Sequence, residues 1–277
     1  MVQAPPPHTN QTARLSYICP MAKKTYFASD FHLGATGQLS STEREQKIVR
    51  WLDFVKDDAA HIYLLGDVFD FWFEYKQVIP KGYTRLFGKL AELTDAGIPI
   101  TFFIGNHDMW MFRYFEEELG IPILRKPKSI DISGKKFLIG HGDGLGPGDH
   151  GYKFIKKIFA NPTCQWFFAR IHPNLGVGIA SYWSRKSRAA QKYESVNHWL
   201  GEDKEWLAQY ANQKLDETFF DYFVFGHRHI PIDLTLNNGK SRYINLGEWL
   251  SQYSYAVFDG KDIQIHFFES DSRTIYP

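Results

Sequence analysis

The chain has 277 residues, with 32 Lys and Arg against 31 Asp and Glu, a formal charge of +1, and 17% aromatic residues. That length gives room for one large α/β domain or two smaller ones, and the aromatic content excludes disorder over most of the chain. The charge balance excludes a uniformly basic nucleic-acid binder and an acidic tail protein, while two cysteines, Cys19 and Cys164, cannot form a zinc ribbon or disulfide framework and fit a reducing cytoplasm.

Residues 1–22 carry Pro5 to Pro7 but no apolar stretch of signal-peptide length, and they read as a disordered leader. No later run approaches the ~20 apolar residues of a membrane-spanning helix. From Lys24 onward short apolar runs alternate with longer amphipathic ones. Strands are expected at Thr25 to Ser29, His61 to Leu65, Pro99 to Ile104, Lys136 to Ile139 and Asp221 to Phe225, on length and on β-branched or aromatic content. Ser40 with Glu43, and Thr42 with Glu45, both have capping-box spacing at the head of a helix running to about Asp57, whose Ile48, Trp51, Leu52 and Val55 form one stripe. A second helix is expected from about Tyr83 to Ala96, stopped by Gly97. The fold class is therefore α/β, sheets covered by helices. Near the end, Ser241 to Asn245, Ser254 to Phe258 and Ile263 to Phe268 read as strands joined in antiparallel hairpins.

Each of the first five strands runs into a polar cluster: Ser29-Asp30-Phe31-His32, Gly66-Asp67, Gly105-Asn106-His107-Asp108, Gly140-His141-Gly142-Asp143 and Gly226-His227-Arg228-His229. Ligands bind at the carboxyl ends of strands in α/β sheets, so the clusters are expected to meet in space. Asp30, His32, Asp67, Asn106, His141, His227 and His229 all suit a divalent metal, and seven ligands are too many for one ion that must also bind water. Two ions sharing a carboxylate fit better, as a clamp on the attacking and leaving oxygens. Oxygen and imidazole donors without thiolate point to Mn, Fe, Zn or Mg, and ligand type alone does not choose among them.

The ordered set Asp-x-His, Gly-Asp, Gly-Asn-His-Asp, Gly-His and Gly-His-x-His resembles the calcineurin-like metallophosphoesterase superfamily over residues 24 to about 268. The resemblance implies a four-layer αββα sandwich, residues 23–277, interrupted by a helical insertion at 152–216. It also implies one metal on Asp30, His32, Asp67 and His229, and a second on Asp67, Asn106, His141 and His227. Within the superfamily, the stretches at 66–72 and 141–152 and the long insert before Gly226 look like the UDP-2,3-diacylglucosamine diphosphatases of lipid A synthesis, in their Bacteroidetes-type form. That branch hydrolyses a pyrophosphate to a diacylglucosamine 1-phosphate and UMP, generally with manganese. Carried over, a hydroxide bridging two Mn ions attacks phosphorus, Asn106 holds a phosphoryl oxygen, and His107 donates a hydrogen bond or proton. Asp70 orients His107, and His227 also faces substrate. Asp149 and Ser187 are expected substrate contacts from the family's spacing, whereas Arg188 and Lys192 are expected from charge alone. The sequence departs from the proteobacterial form at His107, where that form has Arg. Phe71 stands where protein phosphatases carry Arg, against a phosphoprotein substrate.

The insert has a signature of its own. Tyr152 to Tyr193 contains no Asp or Glu but eight Lys and Arg and nine aromatics, so this segment is +8 and the remainder −7. In its opening helix Phe154, Ile155, Ile158 and Phe159 share one side and Lys153, Lys156 and Lys157 the other. Basic plus aromatic suits an anionic amphiphile or a membrane surface. Single-stranded nucleic acid, stacking on the aromatics, is the weaker fit. Taken with the resemblance, which implies a glycolipid nucleotide substrate and the inner membrane, the expected partner is an anionic glycolipid nucleotide, bound under a lid by a cytoplasmic enzyme peripheral on that membrane, with no nucleic acid and no obligate protein partner. Phe69, Phe71, Trp72 and Phe73 could wall an acyl groove, though core packing suits at least two of them. The alternative is a metallophosphoesterase for a soluble nucleotide or another phosphodiester.

Overall fold

A computed structural model describes residues 23–148, 150–191 and 198–277. Strand β1 (Lys24–Ala28) turns Tyr26 and Ala28 to one core and Phe27 to another, so its sheet is covered on both faces. Helix α1 (Ser41–Val55) starts at the first of the two expected capping boxes: Ser40 accepts from the Glu43 amide, and the Glu43 carboxylate accepts from the Ser40 amide at 2.9 Å. Its Ile48, Trp51, Leu52 and Val55 are buried against the sheet. Strand β2 (Ala59–Leu65), helix α2 (Thr84–Asp95), strand β3 (Ile100–Phe103), helix α3 (Tyr114–Leu119) and the two-residue strand β4 (Ile123–Leu124) complete a parallel run, β1-β2-β3-β4.

The second sheet comprises β5 (Lys128–Ile132), β6 (Lys135–Gly140), β7 (Tyr222–Phe225), β8 (Pro231–Thr235) and β9 (Arg242–Leu246), in the order β5-β6-β7-β9-β8. Strands β5 and β8 escaped the sequence reading, and both lie at sheet edges. There β5 tolerates Lys128 and Asp131, and β8 tolerates an opening Pro231 that a central strand would exclude. Strands β10 (Ser254–Phe258) and β11 (Ile263–Phe267) form the expected antiparallel pair, and β10 joins β1 in the first sheet. The expected hairpin before them does not form, because β9 runs parallel to β7 in the second sheet. From β9 the chain crosses between sheets through Gly247 to Tyr253, a turn held by the Glu248 carboxylate, which accepts from the Ser251 and Gln252 amides. On the way, the Trp249 amide donates to the Asp30 carbonyl at 3.0 Å.

Three of the buried clusters among the described residues follow from this layering. One lies between the first sheet and α1 with α2, and one between the sheets around Phe27, Leu65, Phe137 and Ile244. The third lies between the second sheet and α7 (Trp206–Glu217), which buries Leu207, Ala208 and Ala211. Before α7 come α4 (His150–Phe159), α5 (Pro162–Phe168) and α6 (Pro173–Gln191). They dock through aromatics: the Trp110 indole donates to the Phe159 carbonyl at 2.8 Å, and Phe168 lies 4.7 Å from the rings of both Trp110 and Phe73. On α4 the lysines Lys153 and Lys156 face the protein, bonded to the Gly146 and Asp143 carbonyls, while Phe154, Ile155 and Ile158 are exposed. A helical wheel separates two faces but does not say which one faces solvent.

Candidate metal centre

All five strand-end clusters meet at one end of the sandwich. Asp30 and His32 follow β1, Asp67 follows β2, Asn106 and His107 follow β3, His141 follows β6, and His227 and His229 follow β7. Asp30, His32, Asp67, His227 and His229 all have positive φ, between 45° and 71°. Such left-handed conformations cost free energy in non-glycine residues and gather where function requires a particular side-chain direction. Two glycines make the approach possible. A Cβ at Gly105 would collide with the Asp67 carboxylate, and one at Gly226 would lie 2.5 Å from Asp30 Oδ2.

Donor atoms of Asp30, His32, Asp67 and His229 lie within 4.8 Å of one another. His229 Nε2 is 3.2 Å from both His32 Nε2 and Asp30 Oδ1. On the other side of Asp67, its Oδ2 is 3.4 Å from His141 Nε2, and Asn106 Oδ1 is 3.2 Å from His141 Nε2 and 3.1 Å from His227 Nδ1. Asp67 thus stands between two donor groups. His141 Nδ1 lies 2.7 Å from the Leu65 carbonyl, a contact that fixes the proton there and turns Nε2 inward.

The electrostatics ask for a cation. Burial raises the Asp30 carboxyl, yet His229 and His32 beside it hold it well below the ordinary carboxylate range. Asp67 behaves likewise, burial being outweighed by His141 and His107. His141, which burial alone would lower, is pushed up to about 10 chiefly by the Asp67 charge. Without a metal, then, the protonated His141 imidazole offsets only part of the charge of the two carboxylates. Burial lowers His227 to about 3, leaving a neutral ring with a lone pair to offer. Asp30 Oδ1, which faces the His229 and His32 Nε2 atoms, is buried without a hydrogen bond. An oxygen and imidazole set with an orphaned carboxylate oxygen and surplus negative charge fits divalent ions. Adding Mn2+ to chelator-treated protein is expected to raise Tm, by on the order of 8 °C at a thousand-fold excess over Kd. Differential scanning fluorimetry checks this, and an unchanged Tm would remove the metal reading.

His107 sits beside the cluster, its ring 4.9 Å from that of His32. Burial lowers it to about 4, so it is neutral. Its backbone amide donates to Asp67 Oδ1 at 2.8 Å. Asp70 does reach it, but the closer contact is from the Asp70 carbonyl, 3.0 Å from Nδ1, against 3.7 Å for the carboxylate. A residue absent from the sequence reading completes this contact: Ser184 Oγ, from α6, lies 3.1 Å from His107 Nδ1. Asp108, whose cluster was recognised without a role for it, accepts from the amides of Gly105 and Val68 at 2.7 and 2.8 Å and so locks the β2 and β3 loops together. Asp149 and Lys192 lie outside the described residues. Ser187 and Arg188 fall within α6, but their side chains also lie outside what is described.

Two cavities flank the donors. One, about 680 Å³, opens at Asn106, His107 and Asp70 and is walled by Phe71, Trp110, Phe159, Ile179 and Trp183 under the inserted helices. Of the four aromatics considered for an acyl groove, Phe71 lines this chamber, while Phe69, Trp72 and Phe73 are core residues. The other cavity, about 1040 Å³, starts at His141 and Asp143 and runs past Arg125, Lys126 and Lys156 toward Tyr210. Asp143 lines the larger one: its carboxylate accepts from the Tyr152 hydroxyl and pairs with Lys156 at 2.5 Å.

A family pattern described as calcineurin-like phosphoesterase matches residues 23–231. A UDP-2,3-diacylglucosamine hydrolase of Porphyromonas gingivalis is 36% identical over 260 residues, covering 90% of this chain and 99% of that protein. The enzymes of that name from a Shewanella species and from Serratia proteamaculans are each 29% identical, over 87% and 81% of this chain and 95% and 90% of theirs. The strand-end ligand clusters, the two-sheet sandwich and the match over three-quarters of the chain agree: this chain belongs to the calcineurin-like phosphoesterases, a family of metal-dependent hydrolases.

Proposed function

We propose that the chain hydrolyses the pyrophosphate bond of UDP-2,3-diacylglucosamine, giving 2,3-diacylglucosamine 1-phosphate and UMP for lipid A synthesis. The observation that carries this is the apolar chamber of about 680 Å³ opening directly beside Asn106 and His107. A soluble nucleotide needs no such space, whereas acyl chains do. The related hydrolases support the same substrate.

Asp30, His32, Asp67 and His229 would hold one divalent ion, and Asp67, Asn106, His141 and His227 a second, most simply manganese. Two such ions supply charge neutralisation on phosphoryl oxygens and an acidified water. The protein's own part is positioning. Asn106 can turn its amide N–H toward a phosphoryl oxygen where charge accumulates. His107, whose Nδ1–H donates to the Asp70 carbonyl beside Ser184, would donate from Nε2 to the sugar phosphate as an imidazolium, the form that the phosphate's negative charge favours. A phosphate leaving group needs little protonation, so the role assigned to His107 is hydrogen bonding. Acyl chains enter the apolar chamber, and the uridine half turns to the opposite side, into the cavity rimmed by Arg125 and Lys126.

Membrane contact is part of the proposal. Phe154, Trp166, Phe167, Leu175, Tyr182 and Trp183 are each more than half exposed on α4 to α6, and the Arg170 guanidinium lies 4.3 Å over the Trp166 ring. An amphipathic surface of this kind suits a peripheral enzyme at the cytoplasmic face of the inner membrane, drawing a lipid substrate from it. Among the described residues no helix is long and apolar enough to cross a membrane. The test is incubation with UDP-2,3-diacylglucosamine and Mn2+, with UMP read by mass spectrometry. UMP release that depends on metal is expected; equal turnover of the deacylated analogue would replace the lipid substrate with a soluble one.

A further inference from the structure

Arg228 separates His227 from His229, two of the residues placed on the metals, and its side chain points away from them into the protein interior. There it meets Glu205. The guanidinium Nε lies 3.1 and 2.9 Å from the two carboxylate oxygens, and both side chains are only 1% exposed. Arg228 also donates to the His198 carbonyl at 3.1 Å and lies 4.2 Å over the Trp206 ring. Glu205 takes a further hydrogen bond from the Tyr243 hydroxyl at 3.2 Å. Asn245 in turn donates to both the Tyr243 hydroxyl and the Gly226 carbonyl. The loop Gly226 to His229 is therefore gripped at its first residue by Asn245 and at its third by Glu205, within one buried network.

Glu205 is not part of the strand framework. It is the residue on which α7 begins, where the chain returns from the inserted helices to the sandwich. A buried ion pair is a poor way to gain stability, because desolvation of both charges offsets their attraction, and apolar residues of similar volume often do as well. Its better-attested use is to specify one geometry. Here the geometry concerned is that of His227 and His229, both in left-handed conformations with φ of 71° and 53°.

We propose that Glu205 and Arg228 are a positioning pair that sets His227 and His229 for metal binding and ties the return of the insertion to the metal loop. Partners that orient a ligand without touching the metal typically affect affinity by about 10–100-fold. This pair acts one step further back, through the loop backbone, so the lower end of that range is expected.

The inference rests on reading the two histidines as ligands, and Mn2+ titration of wild-type protein against a competing chelator tests that reading separately. Two variants then test the pair. Glu205→Gln keeps the shape and removes the charge. The double variant Glu205→Leu with Arg228→Met replaces the pair by apolar groups and leaves no lone buried charge. Expected are a Kd for Mn2+ raised about tenfold in both, far-UV circular dichroism like wild type, and a fall in kcat with little change in KM that excess Mn2+ partly restores. A purely structural pair would shift Tm and leave Kd and the kcat against KM split alone. Wild-type Mn2+ affinity in Glu205→Gln overturns the proposal even if the double variant fails to fold. Absence of Mn2+ binding by wild-type protein overturns the ligand reading itself.

Discussion

Asp67→Asn is expected to lower turnover by about 10⁴-fold or more, roughly 5.5 kcal/mol of transition-state stabilisation, while the protein stays folded. Asp67 is 1% exposed and lies between the Asp30, His32 and His229 group and the Asn106, His141 and His227 group. Its carboxylate is the donor proposed to serve both, so losing its charge would weaken two ions at once. The substitution is gentle on the backbone. Asp67 has φ of 52°, which Asn tolerates better than most residues, and an amide oxygen can still accept from the His107 amide, now 2.8 Å from Oδ1. Tm of the metal-free variant should stay near that of metal-free wild type, and the rise on adding Mn2+ should shrink. Bound metal counted by mass spectrometry, alongside the Mn-dependent release of UMP, checks both. A variant that keeps two ions per chain and wild-type turnover would falsify the bridging role.

The site was legible in the sequence because it is built from contiguous punctuation. A run such as Tyr222–Phe225 is a buried strand, and Gly226-His227-Arg228-His229 directly after it can only lie at that strand's end. The rule that strand ends converge then brought five separate clusters together. Side chains that complete the site from elsewhere carried no such mark. Ser184 is one of many residues on a helix face, and nothing local says that it meets His107, 77 positions earlier. Glu205 reads as an acidic residue near a helix start, although it is buried against Arg228. The crossing from β9 to β10 was hidden for a related reason: alternation identifies a strand but does not select its neighbour. The orientation of α4 was equally beyond a one-dimensional pattern, since Lys153 and Lys156 find partners only in the folded Asp143 to Gly146 loop.

Ala180→Phe is expected to cut the preference for the diacylated substrate over its deacylated analogue by more than 100-fold. Ala180 lines the apolar chamber on α6, between the exposed Ile179 and the Tyr182 and Trp183 rings. Gly176, one turn earlier, lets that helix approach Tyr75 and Phe168 so closely that a Cβ there would meet the Tyr75 hydroxyl, so moving α6 outward to make room would give up that close packing. An added phenyl ring must therefore take its space from the chamber. Each buried methylene contributes about 0.8 kcal/mol, so displacing four of them costs about 3 kcal/mol, which is the stated ratio in kcat/KM. The ring is apolar and partly shielded, and Ala and Phe are both tolerated in helices, so Tm should move by only a few degrees. The comparison is internal, because both substrates carry the same pyrophosphate to the same metals. Should the ratio stay at its wild-type value, the acyl chains lie outside this chamber, and the exposed aromatic surface of α4 to α6 becomes the place to look for them.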